Sequence, residues 1–118
     1  MGKEGNIMKL VILFGSRARG DFTETSDYDA LLVGDEVPRD PRMIPEDVYV
    51  RATKMFPGEV DPVFVNSEVF LKKLREGSPF FLQIMEEGKV LLKDDNFWEK
   101  ALGVYKEVRS SFERKGKT

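Results

Sequence analysis

Two short apolar runs, and the residues that join them, constrain the fold more than any other feature of this sequence. Residues 10–14 read Leu-Val-Ile-Leu-Phe and residues 30–33 read Ala-Leu-Leu-Val, both continuous and strand-sized. They predict buried β-strands over about 7–14 and 28–33. A glycine follows the first run and two aspartates stand at the start of the second. The function should therefore be sought where these two strands begin and end.

The rest of the chain alternates helix and strand signals. Helices are predicted over about 45–56, 67–77 and 78–88, strands over 59–66 and 89–92, and a long amphipathic helix from 95 onward. Residues 34–45 contain three prolines and predict a surface loop. This alternation predicts an α/β fold in which one small mixed β-sheet packs against helices. The length of 118 residues favours a single domain, with its core at about 7–66 and a helical and strand tail at 67–118.

The composition excludes several kinds of chemistry. The chain has no cysteine and no histidine, which removes disulfides, thiol nucleophiles, zinc fingers and imidazole bases. A net charge of −2 argues against strong nucleic-acid binding. No apolar run is long enough to span a bilayer, and the N-terminal residues do not resemble a signal peptide. We expect a soluble cytoplasmic protein with no membrane attachment.

Asp27 and Asp29 form a candidate metal site at the start of the second strand. Residues two apart in a strand point to the same face, so the two carboxylates lie close together. They repel one another unless a cation neutralises them, and Mg²⁺ prefers oxygen ligands of this kind. The alternative interpretation is an acidic loop edge that is solvated and inert.

Gly15 and Ser16 form a candidate anion site at the end of the first strand. Glycine lets a phosphate approach the backbone, and Ser16 can cap a short helix whose free N–H groups attract anions. Arg17 lies in the first turn of that helix, where a bound polyphosphate would offset its unfavourable interaction with the helix dipole. The alternatives are an ordinary strand-to-helix turn and a solvent-facing arginine that is paired with a nearby acid.

Asp61 supplies a third carboxylate from a different strand, in the segment Val-Asp-Pro-Val-Phe-Val at residues 60–65. Such a group could orient and deprotonate an attacking hydroxyl beside a metal site. Pro62 cannot donate a ladder hydrogen bond, so we expect this strand to lie at an edge of the sheet or to begin there. Taken alone, an aspartate at the start of a strand is usually only a strand-edge residue.

The order of these residues resembles the minimal nucleotidyltransferase family, a branch of the superfamily with a polymerase-β-like catalytic core. Its pattern is an apolar residue, Gly-Ser, about ten residues, Asp-x-Asp, and a third Asp on a later strand. The resemblance covers roughly residues 7–66 and implies transfer of AMP from ATP with two Mg²⁺ ions. It implies that Gly15, Ser16 and Arg17 bind the triphosphate. It also implies that Asp27, Asp29 and Asp61 bind the metal, with Asp61 as the base.

The resemblance also implies an acceptor. Small members of this family are commonly paired with a HEPN-domain toxin, and the transferase adds AMP to a tyrosine of that toxin. The C-terminal helix carries Trp98 and Tyr105 and could bind a partner or form a homodimer, although the favoured interpretation is that its apolar stripe packs on the core of the same domain. Two other hypotheses remain: a non-catalytic module that neutralises its partner by contact, and a transferase acting on a small molecule or an RNA end.

Overall fold

A four-stranded sheet with helices on both faces forms the architecture. The computed structural model describes residues 8–15, 18, 20 and 27–116, with side chains described to residue 111. The strands are β1 (Leu10–Phe14), β2 (Tyr28–Gly34), β3 (Val60–Asn66) and β4 (Lys89–Lys93). The helices are α1 (Glu46–Thr53), α2 (Ser67–Arg75), α3 (Pro79–Glu87) and α4 (Asp95–Gly116), and a 3₁₀ turn spans Pro41–Met43. The predicted α/β class with a small mixed sheet is confirmed.

The strand order is β3-β2-β1-β4. β1 runs antiparallel to both β2 and β4, whereas β2 and β3 are parallel. β3 lies at an edge of the sheet, as Pro62 predicted. The sheet is therefore mixed, and its two central strands are the two apolar runs of the sequence.

The two faces of the sheet carry separate apolar clusters. On one face, side chains of β1, β2 and β3 pack with α2, α3 and α4 around Phe70, which is fully buried. On the other face, alternate residues of the same strands pack with Val48 and Ala52 of α1. Because strand side chains alternate between faces, continuous apolar runs are what a sheet covered on both sides requires.

Two element boundaries differ from the sequence prediction by three residues, and the others by less. β1 begins at Leu10, since Met8 and Lys9 are not in the strand and residue 7 lies outside the described part of the chain. α1 ends at Thr53 instead of near Phe56. Pro57 disfavours helical backbone at the residue before it. Phe56 instead packs its ring against Tyr28, with the ring centroids 5.6 Å apart.

A capping residue outside the predicted helix fixes the start of α2. The Asn66 side chain accepts hydrogen bonds from the N–H groups of Glu68 (2.9 Å) and Val69 (3.4 Å). Its amide also donates to the carbonyl of Val37 at 2.8 Å, which ties the loop after β2 to the end of β3. The predicted C-terminal glycine of this helix, Gly77, has φ +80° and ends it.

The C-terminal helix packs on the core of its own chain. Phe97 and Ala101 are buried in the cluster around Phe70, and Trp98 and Tyr105 pack against its margin. Burial and then the neighbouring carboxylate of Glu86 raise the pKa of the Tyr105 phenol. The interpretation in which the apolar stripe covers the domain's own core is therefore confirmed for the described side chains. In the described residues no helix combines the length and apolarity needed to cross a bilayer.

Gly88 provides a test of how tightly α3 and β4 approach β1. A Cβ at this position would lie 2.5 Å from the Ile84 carbonyl oxygen and 3.2 Å from that of Leu13, and would clash with the Ile12 side chain. We expect Gly88→Ala to lower the free energy of unfolding by about 1–3 kcal/mol because the core has no room for an added methyl group. Gly103 of α4 has open space around it, so Gly103→Ala should raise that free energy by about 0.5–1 kcal/mol. Urea denaturation of both variants measures the difference, and equal effects would contradict the packing described here.

Candidate active site

The candidate carboxylates Asp29 and Asp61 are neighbours across the parallel β2–β3 pair. They occupy the same register position, and Phe14 of β1 pairs with Asp29 from the other side. These three residues therefore form one row across the sheet. Paired residues share a face, so the row lies on the face where α2, α3 and α4 pack. The two carboxylates lie at the end of that face, at the boundary between the apolar cluster and solvent.

Gly15 follows this row directly and contacts Asp29. Its φ is +76°, a conformation that side-chain-bearing residues rarely adopt. A Cβ at Gly15 would clash with Oδ2 of Asp29 and lie 3.1 Å from its Cγ. The Asp29 carboxylate therefore fills the space that a side chain at residue 15 would take. The predicted phosphate turn and the predicted metal ligand are thus in direct contact.

Asp27 lies two residues before Asp29, is exposed, and precedes the strand. Asp61 is also exposed, and in the described part of the chain neither Asp27 nor Asp61 pairs with a cationic side chain. The three carboxylates supply the oxygen donors that Mg²⁺ prefers, and two of them share one register position. Within residues 8–15 and 27–111, however, no three acidic side chains are grouped closely enough to hold a metal ion. The donor chemistry fits a divalent ion, and the grouping of three ligands stays a prediction.

Two of the predicted phosphate-binding residues, Ser16 and Arg17, lie outside the described residues. Their neighbour Ala18 is helical, and its N–H donates to the Gly15 carbonyl at 3.1 Å. This bond is the one described element of the turn after Gly15. The roles of Ser16 and Arg17 therefore stay predictions, and Gly15 is the predicted phosphate-binding residue that lies within the described part of the chain.

A pocket of about 120 Å³ adjoins Gly15 on the side away from Asp61. Its walls come from the end of β1, the turn after it, and one side of α3. The lining residues are Phe14, Gly15, Ala18, Phe80, Gln83, Ile84 and Glu87. Sequence reasoning did not identify the residues of α3 as part of a site. Phe80, Gln83 and Glu87 recur at helical spacing, which is a signal that could have identified a shared helix face.

The family model described as "Polymerase beta, Nucleotidyltransferase" matches residues 3–97 of the chain. Two proteins of Methanocaldococcus jannaschii, both named "Putative protein adenylyltransferase", are similar in sequence. One is 38% identical over 84 residues, which cover 71% of this chain and 78% of the relative. The other is 29% identical over 104 residues, which cover 85% of this chain and 69% of the relative.

A solved structure described as "Crystal structure of the toxin-antitoxin with AMP-PNP" also superposes on the chain. It covers 92% of this chain and 82% of its own, with a TM-score of 0.49 and 18% identity. The family of the chain follows from the sequence matches alone. The family model spans most of the chain and includes Gly15, Asp27, Asp29 and Asp61. The chain belongs to the polymerase-β nucleotidyltransferase family.

Proposed function

We propose that the chain transfers AMP from ATP, with Mg²⁺, to the tyrosine hydroxyl of a partner protein of the HEPN class. The single observation that carries the proposal is the contact between Gly15 and the Asp29 carboxylate, beside the row that joins Asp29 to Asp61. It brings a backbone turn that suits a phosphate next to carboxylates that suit a divalent ion. Nucleotidyl transfer needs both features close enough together for one nucleoside triphosphate to contact them.

Each residue has a distinct role in the proposed reaction. Gly15, together with Ser16 and Arg17, binds the triphosphate, and Asp27, Asp29 and Asp61 hold Mg²⁺. When bound, Mg²⁺ neutralises charge on the attacking and leaving oxygens. Asp61 accepts the proton of the tyrosine hydroxyl as its oxygen forms a bond to the α-phosphorus. The bond from the α-phosphorus to the oxygen bridging to the β-phosphate breaks, and pyrophosphate leaves.

The names of the two relatives support a protein acceptor, because both are called protein adenylyltransferases. The HEPN class of the partner depends on the resemblance of the motif to minimal nucleotidyltransferases. We place the reaction in the cytoplasm, where ATP is available. The antitoxin role follows if the modified tyrosine is needed by the partner's own activity.

The test uses ATP labelled at the α-phosphate, with Mg²⁺, and the product of the neighbouring gene as the candidate partner. We expect label on a partner tyrosine with the wild-type chain, and none with Asp27→Asn, because the amide removes one charged metal ligand. Transfer and neutralisation of the partner should be lost together. Label on neither partner nor any other acceptor, with ATP binding intact, would overturn the enzymatic proposal.

A non-catalytic binding module is the second candidate, and the ungrouped carboxylates of the described chain favour it. It requires Asp27→Asn to neutralise the partner as well as the wild type does. If label instead appears on an added small molecule or an RNA end, the transferase is retained and the protein acceptor is rejected. Separating the partner protein, the small molecules and the RNA of one reaction mixture shows which of them carries label, and so distinguishes the three hypotheses.

A further inference from the structure

Tyr28 stands between the two aspartates of the candidate metal site in the sequence, but on the opposite face of the sheet. It is the first residue of β2, and its half-buried ring packs on the apolar cluster that α1 covers. Strand side chains alternate, so Asp29 lies on the other face. The ring of Tyr28 is therefore not placed to bind the same ion as Asp29. Any influence of the ring on that carboxylate passes through the backbone of the strand.

Tyr28 holds the segment that leads into β3. Its ring packs against the ring of the buried Phe56, with the centroids 5.6 Å apart and the planes tilted by 39°. Gly58 lies against the edge of the same ring, since a Cβ there would be 3.4 Å from Cε2 of Tyr28. The Tyr28 N–H donates to the carbonyl of Glu59 at 2.8 Å, and its backbone pairs with Val60. One residue of β2 thus fixes the path by which β3 begins.

The carboxylates lie at this same end of the β2–β3 pair. In the register of the two strands the pair of Tyr28 with Val60 comes first, and the pair of Asp29 with Asp61 follows directly. The ends of a strand pair open more readily than its middle, because fewer contacts hold them. The contacts of the first pair therefore decide how firmly the two carboxylates are held side by side.

Charge repulsion acts to open this end of the sheet. Asp29 and Asp61 carry like charges at adjacent positions on neighbouring strands, and such charges repel one another. Mg²⁺ tolerates little deviation from octahedral geometry, so carboxylates that move apart bind it less well. The packing of Tyr28 on Phe56 opposes that movement from the other face of the sheet. A site whose ligands are held in place before the ion arrives loses less free energy on binding it.

We propose that Tyr28 is a positioning residue of the metal site, which keeps Asp29 and Asp61 at the spacing that a divalent ion requires. Its ring does so by holding the start of β3 against β2 through the packing on Phe56 and Gly58. The inference rests on the proposed function for the metal role of the two carboxylates. It adds to that function a side chain on the face of the sheet opposite the reaction.

The test measures Mn²⁺ binding to the full chain, without nucleotide, from the electron paramagnetic resonance signal of the free ion. Mn²⁺ stands in for Mg²⁺ because both prefer oxygen ligands. Asp29→Asn identifies the site, since it should lose this binding. We expect Tyr28→Ala to weaken Mn²⁺ binding roughly tenfold, as the loss of a group that orients metal ligands does. Tyr28→Phe keeps the ring and should restore the wild-type affinity.

Tyr49→Ala is the matched control. The Tyr49 ring packs on Phe64 of the same apolar cluster, with the centroids 5.5 Å apart and the planes tilted by 42°, close to the geometry of the Tyr28–Phe56 pair. Phe64 pairs with Leu32, further along the strands than the carboxylates. Both alanine variants should unfold at lower urea concentration than the wild type. Only Tyr28→Ala should lose Mn²⁺ affinity.

Phe56→Leu keeps the inference testable if Tyr28→Ala does not fold. Leucine keeps an apolar side chain at this buried position and removes the ring on which Tyr28 packs. Mn²⁺ affinity should fall in this variant too, because the start of β3 is then held less firmly. Its urea unfolding curve shows that the variant is folded.

Two results would overturn the inference. One is unchanged Mn²⁺ affinity in the folded Tyr28→Ala or Phe56→Leu variant, which would leave Tyr28 a purely structural residue. The other is an equal loss of affinity in Tyr49→Ala, which would assign the effect to packing in general. A wild type that binds no Mn²⁺ would overturn the inference together with the metal role of the carboxylates. Mn²⁺ binding that depends on Tyr28 in a chain that transfers no AMP would instead overturn the proposed function and support the positioning role.

Discussion

Asp29→Asn should reduce AMP transfer roughly a hundredfold to a thousandfold. A divalent ion that stabilises developing charge contributes several kcal/mol to the transition state, and each 1.36 kcal/mol is about tenfold in rate. The amide has the shape of the carboxylate, so the contact with Gly15 is kept while the charge is removed. The measurement is the initial rate of label transfer from ATP at saturating Mg²⁺.

Asp47→Asn provides the control for this change. Asp47 is an exposed carboxylate in the first turn of α1, a helix that packs on the opposite face of the sheet. Its amide variant removes the same charge far from the row formed by Phe14, Asp29 and Asp61, so the rate should stay within about twofold of the wild type. If Asp29→Asn were no slower than Asp47→Asn, the proposed metal role of Asp29 would be rejected.

Gly15→Ala should both destabilise the chain and slow AMP transfer. The positive φ costs about 1–2 kcal/mol for a residue with a side chain. The added Cβ also has to displace the Asp29 carboxylate, whose Cγ and Cβ lie 3.1 and 3.3 Å from its position. Displacing a proposed metal ligand should reduce the rate by roughly a hundredfold, in the range expected from losing charge stabilisation in the transition state.

Gly20→Ala separates the backbone effect from the displacement of Asp29. Gly20 has φ +87°, similar to Gly15, but a Cβ there would meet no atom of the described residues within 4 Å. Both variants should unfold at lower urea concentration than the wild type, and only Gly15→Ala should lose its transfer rate. Comparable rate losses in the two variants would mean that strain, and not contact with Asp29, explains the effect.

The sequence predicted the elements well where the apolar pattern and the turn residues agree. β2, α3 and β4 are within one residue of their predicted bounds, because proline, glycine and charged residues mark their ends. α1 was predicted too long, since helical periodicity alone does not reveal that Phe56 turns back to contact Tyr28. The edge position of β3 was predicted from the single residue Pro62.

The site was predicted only in part, because its geometry depends on long-range pairing. Motif order identified the carboxylates, but the register that places Asp29 opposite Asp61 depends on how β2 and β3 pair. The contact of Asp29 with Gly15 depends on one backbone conformation. The pocket was missed because Phe80 and Gln83 are remote in sequence from the motif and reach Gly15 only through the packing of α3 on β1.

The cross-strand row of Phe14, Asp29 and Asp61 also protects the chain against misassembly. A slip of β2 by one residue would turn Asp29 toward the apolar cluster that contains Val48 and Ala52. Burying an unpaired carboxylate costs several kcal/mol, so the slipped arrangement is strongly disfavoured. The aspartate that we assign to the reaction therefore also favours the native register of β2. A chain that folds with this register has Asp29 paired with Asp61.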